Sequence, residues 1–518
     1  MSLNNLTIPS LLDTSLFELC YGLDQGLFTS VDLIRAYLQR IREVDSNYHA
    51  VIEVNPDALD IAKQMDVERV RSSHGRPLLG TPILVKDSIV TLDSMEATAG
   101  SMALVGAKPS KESAVVTALR HVGAIILGKT NMAEWAGFRS TSGCSGWSAR
   151  GGQAYGPFCP NMKTSGSSTG SAIATALGLA SAAIGTETCY SIVHPAERCG
   201  VVGFTPTRGL LSSEGIIYAS AKEDTVGVIT KTVNDASGLV SLLADNEDAR
   251  GNLYVPLAMR TDLCGVRIGI PARGLLPEVD NMHSAKQTAF SKLINHLTTC
   301  GANIVSVDKI SGVATYAELP ARVKGCVLNT DMKTSINNYL SSLITNPNKI
   351  HTLDDLIAFT KLCPEEGYPA RNVARLEAAN ATDPSDPLYR YLSSLEDATY
   401  ATTIPGTLRD FDLHVLLVPN LSATLQTFAA KAGSPVMSVS MGRYPEDTEI
   451  EIDARSNLVD VAPGIPFSVY IFGDRNRDGN VIRVGHACER IMNARSGLKP
   501  YVLPTTDLAG HTESPHGL

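Results

Sequence analysis

The chain has 518 residues, 44% of them hydrophobic and 19% charged, with a formal net charge of −9 at pH 7. That balance allows a large buried core and excludes a disordered chain. With no Lys/Arg cluster and no run of about 18 apolar residues, nucleic acid is not expected as a partner and no membrane span is predicted. The start, Met1-Ser2-Leu3-Asn4-Asn5, lacks the basic and apolar stretches of an export signal, and the tail Pro515-His516-Gly517-Leu518 is not a recognised address. A cytoplasmic location is expected. The ten cysteines are scattered, without paired CxxC or zinc-like spacing, so free thiols are the default. Glu365-Glu366 reads as a solvated face, and nothing groups carboxylates with histidines. No metal and no cofactor are expected.

In chain order, Thr29 or Ser30 caps a predicted helix whose Leu33, Ile34, Tyr37, Leu38 and Ile41 share one face. A second helix is predicted over Ala58–Val70, and both read as scaffold. Then the pattern alternates: a strand over Leu79–Val85, a helix over Ser113–Val122 stopped by Gly123, and a strand over Ala124–Leu127. Strand, helix, strand with short turns is an α/β signature. Gly128-Lys129-Thr130 invites a phosphate-loop reading. However, apolar strand residues stand where the glycine-rich turn is needed, so nucleotide binding is rejected. Ala172–Ala180 is a small-residue helix suited to close packing. Val266–Ile270, Ala285–Leu297 and Asn303–Val307 predict another βαβ unit.

The stretch 311–408 differs. It is polar-amphipathic, with turn clusters at Asn346-Pro347-Asn348 and Asp383-Pro384-Ser385-Asp386-Pro387, and predicts helices joined by loops. Apolar strands return at Leu413–Val418, Val436–Val439 and Phe467–Phe472, before a helix over Val484–Met492. No internal repeat or low-complexity linker is seen.

The most informative run is Thr164–Thr207. A Ser/Gly loop, Gly166-Ser167-Ser168-Thr169-Gly170-Ser171, leads into the small-residue helix and a short strand. A second tight turn follows, Gly185-Thr186-Glu187-Thr188-Cys189-Tyr190-Ser191. Serines on such turns expose a hydroxyl and backbone N–H groups to one small volume, which acyl transfer needs. Upstream lies Ile83-Leu84-Val85-Lys86-Asp87, an apolar strand ending in lysine.

With these elements in this order, the chain resembles the amidase signature family, serine hydrolases with a Ser–cis-Ser–Lys triad, and within it the peptide-amidase type. The resemblance implies an α/β fold, a mixed β-sheet with helices on both faces and a helical cap insertion. It covers nearly the whole chain, so one domain over 1–518 is expected: N-terminal helices 1–75, core 76–310, cap 311–410 and returning core 411–505. It also implies Ser191 as nucleophile, Ser167 as the bridging serine held by a cis peptide, and Lys86 as base. The backbone N–H groups of Thr188, Cys189, Tyr190 and Ser191 would form the oxyanion hole. A lysine base must be neutral at rest, which requires burial.

Gly128–Trp135 and the loop Ser142–Gln153 also match the family pattern. Ser168, Tyr190, Met132, Trp147 and His194 are the candidate substrate contacts, with plain packing the alternative for Met132 and Trp147. Cys189-Tyr190 stands where close relatives read Asp-Gly, and Thr205 where the pattern has lysine. A tyrosine at a position suited to positive φ is costly. Cys189 is expected to be an inert buried thiol, and His194 structural or pocket-lining rather than a second base. The leading expectation is hydrolysis of a small-molecule amide. An acyltransferase or cyclase using the same triad, and a non-catalytic binding protein, are the alternatives. A homodimer remains open.

Overall fold

Strands from both ends of the sequence meet in one eleven-stranded sheet. A computed structural model describes residues 8–71, 76–143, 145–244 and 262–512. Cys144 and the two terminal segments named above lie outside the described residues. The strands are β1 Val51–Val54, β2 Pro82–Lys86, β3 Ile125–Thr130, β4 Ala182–Glu187, β5 Val202–Thr205, β6 Thr225–Thr230, β7 Arg267–Pro271, β8 Asn303–Val307, β9 Val415–Val418, β10 Val436–Arg443 and β11 Pro466–Gly473. Their spatial order is β1-β3-β2-β4-β6-β5-β10-β11-β9-β7-β8. The pairs β3·β2, β2·β4, β9·β7 and β7·β8 are parallel. The other six are antiparallel. The sheet is therefore mixed, as expected.

Both faces of the sheet are covered. Successive strand residues point to opposite sides, and here they enter different cores: Ile83 and Val85 join one hydrophobic cluster while Leu84 joins the other. The second cluster holds the N-terminal helices α1 Leu16–Asp24 and α2 Ser30–Tyr48. Thr29 caps α2 in a capping box with Asp32, and the helix buries the apolar face read from sequence. Helix α3 is Ala58–Arg71, α4 Ala114–His121 and α5 Thr169–Ala176. Every residue of α5 is buried, and all but Ile173 are small. A methyl group added at Gly170 would lie 2.2 Å from the Ala50 carbonyl oxygen.

The segment 311–410 is mostly helical, including Cys326–Ser341, Leu353–Leu362, Ala374–Asn380 and Pro387–Ala398. Its apolar side packs on Ala99, Leu104, Met132 and Trp135 of the core. One expectation is corrected here: Glu366 is not solvated but fully buried. It lies against Arg139, whose Nε is 2.9 Å from Glu134 Oε1 and 3.6 Å from Glu366 Oε2. Ser101 Oγ and Met102 N also donate to Glu366. The surface reading failed because these partners come from distant sequence. Among the described residues, no helix is long and apolar enough to cross a membrane.

Candidate active site

The site forms at the carboxyl ends of two neighbouring parallel strands. Val85 of β2 pairs with Ile184 of β4, so Lys86 at the end of one strand lies beside Thr186 near the end of the other. Lys86 is fully buried. Its Nζ lies 2.7 Å from Ser167 Oγ, 2.9 Å from Thr186 O and 2.9 Å from Thr186 Oγ1. Burial lowers its pKa to about 7, against the opposing pull of Asp224 and Glu187. Burial with no carboxylate in contact outweighs the three oxygens, which by themselves favour the ammonium, so the neutral form is well populated near pH 7.

The loop carrying Ser167 reverses through two left-handed residues, Ser165 at φ 65° and Gly166 at φ 60°. The cis peptide implied for Ser167 is not present: among the described residues the cis bond is Tyr368–Pro369. The two left-handed residues make the reversal, and Ser167 Oγ reaches Lys86 across a trans backbone. Ser168 N donates to Ser191 O at 2.9 Å, and Ser168 Oγ donates to Thr186 O at 3.1 Å. Ser168 is fully buried. It ties the loop to the turn and does not face a substrate surface.

Ser191 retains 6% exposure while Ser167 and Lys86 have none, so of these three it is the one a ligand can meet. No hydrogen bond from Ser191 Oγ is present among the described residues, and the structure does not join it to Ser167. The turn before it is held from below by Glu187, a residue sequence reasoning missed. Glu187 Oε2 accepts Ile192 N at 2.5 Å and Val193 N at 3.1 Å. These N–H groups open helix α6, Val193–Cys199. A carboxylate there satisfies otherwise orphaned donors. The signal for Glu187 was its place in the Gly-Thr-Glu-Thr run. By contrast, the N–H groups of Thr188, Cys189, Tyr190 and Ser191 have no protein acceptor among the described residues. Four free donors on one turn suit a developing oxyanion.

Tyr190 has φ 48°, the left-handed conformation expected of that position. For a bulky L-residue this costs about 1–2 kcal/mol. Its ring stands edge-on to His194, with centroids 6.2 Å apart. Burial raises the phenol pKa, while Arg375 and Arg455 pull it down. His194 lies 3.9 Å from Glu197 Oε2, yet burial lowers its pKa to about 4, so it is neutral near pH 7. Cys189 Sγ lies 3.5 Å from Thr427 Oγ1, and burial raises its thiol pKa. The thiol is half-buried, and its raised pKa disfavours a thiolate.

Met132 is fully buried beneath the cap segment, in the cluster with Trp135. It packs, and does not line an open wall. Trp147 is partly exposed and carries the Arg371 guanidinium 4.8 Å from its ring centroid. Gly128-Lys129-Thr130 lies within strand β3, not in a phosphate loop.

Residues 32–482 match the profile of the family described as Amidase. The chain is 35% identical to a putative amidase of Arthroderma benhamiae, over 97% of this chain and 89% of that protein. It is 32% identical to a putative amidase of Schizosaccharomyces pombe, over 96% of this chain and 88% of that protein. The X-ray structure of native peptide amidase from Stenotrophomonas maltophilia is similar with a TM-score of 0.80 and 32% identity. It covers 95% of this chain and 99% of that one.

Proposed function

The chain belongs to the amidase family and is a hydrolase of carboxylic amide C–N bonds; from that premise we propose that Ser191, Ser167 and Lys86 carry the reaction. The observation that carries this reading is the buried Lys86 amine 2.7 Å from Ser167 Oγ with its pKa lowered to about 7. A neutral amine has two N–H donors and one lone pair. The two donors match Thr186 O and Thr186 Oγ1, leaving the lone pair for the Ser167 hydroxyl proton.

Ser191 Oγ attacks the amide carbonyl carbon. Its proton passes to Ser167 Oγ as the Ser167 proton passes to Lys86 Nζ. The carbonyl oxygen becomes an oxyanion held by the N–H groups of the 188–191 turn. Collapse breaks the C–N bond, and Lys86 returns the proton through Ser167 to the departing amine. Water then attacks the acyl-enzyme by the same relay and releases the acid. The relay requires Ser167 Oγ and Ser191 Oγ to come within hydrogen-bond reach in the substrate complex, where such contacts tighten.

The whole chain works as one domain, with 311–410 as a cap that shapes the entrance over Tyr190, His194 and Trp147. Small amides of peptide type are the first substrates to test, because the similar solved structure is a peptide amidase. The test is intact mass after exposure to a fluorophosphonate. A single adduct on Ser191, lost in Ser191→Ala, Ser167→Ala and Lys86→Ala, is the expected result. An adduct elsewhere, or none on folded protein, would sink the assignment.

A further inference from the structure

A small, partly closed cell with a largely polar floor lies beside the turn that carries Ser191. Glu187, Thr188, Thr205, Glu223, Gln426 and Ser434 line it, and all six are buried. The space open to a water's centre is ≈ 10 Å³, which is about the room one water needs. Four of the lining residues carry a side-chain atom buried without a hydrogen-bond partner: Thr188 Oγ1, Thr205 Oγ1, Gln426 Nε2 and Ser434 Oγ. Thr205 is near enough to Glu187 to hold down its pKa, and Thr188 does the same for Asp224, but neither has hydrogen-bond geometry.

The mixture of groups selects the occupant. Gln426 Nε2 only donates, the three hydroxyls serve either way, and Glu187 accepts when ionised. A cation would meet the amide hydrogens of Gln426, and an anion would meet Glu187 and Glu223. Water both donates and accepts, and makes about three hydrogen bonds in such sites. Glu223 is already paired with Lys431 at 2.9 Å.

We propose that one resident water fills this cell and positions the Ser191 turn by joining Gln426 and Ser434 to Thr188 and Thr205. Gln426 belongs to the helix Ala423–Ala432, which also supplies Thr427 to Cys189. The water is thus a second tie from that helix to the same turn. The positioning role rests on Ser191 being the nucleophile; the water itself does not.

The experiment is a crystal structure of the full chain that resolves ordered solvent, together with fluorophosphonate labelling rates. One solvent peak within hydrogen-bond reach of those four atoms is expected. Gln426→Leu and Thr205→Val should lose the peak and slow labelling of Ser191 about tenfold, since small misplacement of reacting groups is costly. The pH midpoint of labelling should stay fixed in Gln426→Leu, which touches neither Lys86 nor the carboxyls that act on it, and Thr205→Ser should keep the native rate. An empty cell overturns the proposal. So does a cation in it, shown by a melting temperature that follows K⁺ against choline. Native labelling rates in folded Gln426→Leu and Thr205→Val overturn the positioning role. A native protein that takes no fluorophosphonate overturns the nucleophile assignment and, with it, the positioning role, while the peak alone decides the water.

Discussion

Lys86 has no carboxylate within ion-pair distance among the described residues, and its pKa is lowered to about 7 mainly by burial. Its base form therefore grows as pH rises through about 7, and kcat/KM for an amide should climb to a plateau across that range. His194, with a pKa of about 4, stays neutral throughout. His194→Gln should leave the midpoint of the pH profile in place, whereas Lys86→Met should lower kcat about 10⁴-fold or more. A midpoint that moves with His194→Gln would make His194 the titrating base. Tyr190 sets a different expectation. Tyr190→Gly removes both the strained φ of 48° and the ring beside Ser191. Bulky amides should gain in kcat/KM relative to small ones, measured on a paired substrate series. The sequence made this position legible because a tyrosine replaced glycine in a recognisable turn. It could not reveal that Ser168 and Met132 are fully buried, since burial depends on which distant elements cover them.

At the level of elements, the turn that carries Ser191 hangs on Glu187, which takes the first N–H groups of helix α6. Glu187→Ala leaves two buried donors unpaired, at about 1–3 kcal/mol each. Lower stability in urea and loss of Ser191 labelling are expected, while Glu187→Gln, which still presents an acceptor oxygen, should retain much of both. The segment 311–410 is fastened to the core by Glu134, Arg139 and Glu366, all fully buried. Arg139→Ala strands the two carboxyls and should cost about 3–5 kcal/mol. Burial first, then Glu366, raises the Glu134 pKa well above its usual 4.5. Between 4.5 and the raised value the native state holds the extra proton, so stability falls as pH rises through that window. Glu134→Gln mimics the protonated form and should flatten that dependence, checked by urea midpoints over a pH series. None of this fastening was legible: Glu365-Glu366 looked like any exposed acidic pair, and only the fold brings Arg139 to it.

Across the whole molecule, one sheet takes strands from Val51 to Gly473, so the N-terminal and C-terminal parts share their cores. The two tryptophans, Trp135 and Trp147, lie where the cap meets the core. Unfolding followed by tryptophan fluorescence and by far-ultraviolet circular dichroism should therefore coincide. A fluorescence change well ahead of the loss of helix would mean that the cap separates first. The sheet was legible because its strands are apolar and punctuated by glycine: Asn303–Val307 and Phe467–Phe472 were located within a residue or so. The strand order was not, because residues far apart in sequence decide which edges meet. The same limit hid the short pairing of Leu343–Thr345 with Lys108–Pro109, which joins cap to core.

The small-residue helix Thr169–Ala176 has a consequence for how this chain can vary. Every one of its positions is enclosed, and Gly170 has backbone on all the atoms nearest an added methyl. In a saturation library scored for function, this helix would tolerate change as poorly as Lys86 or Ser191, although it moves no proton. Substitution frequency alone would then mark a packing element as chemistry, although the helix is intolerant through a shortage of space.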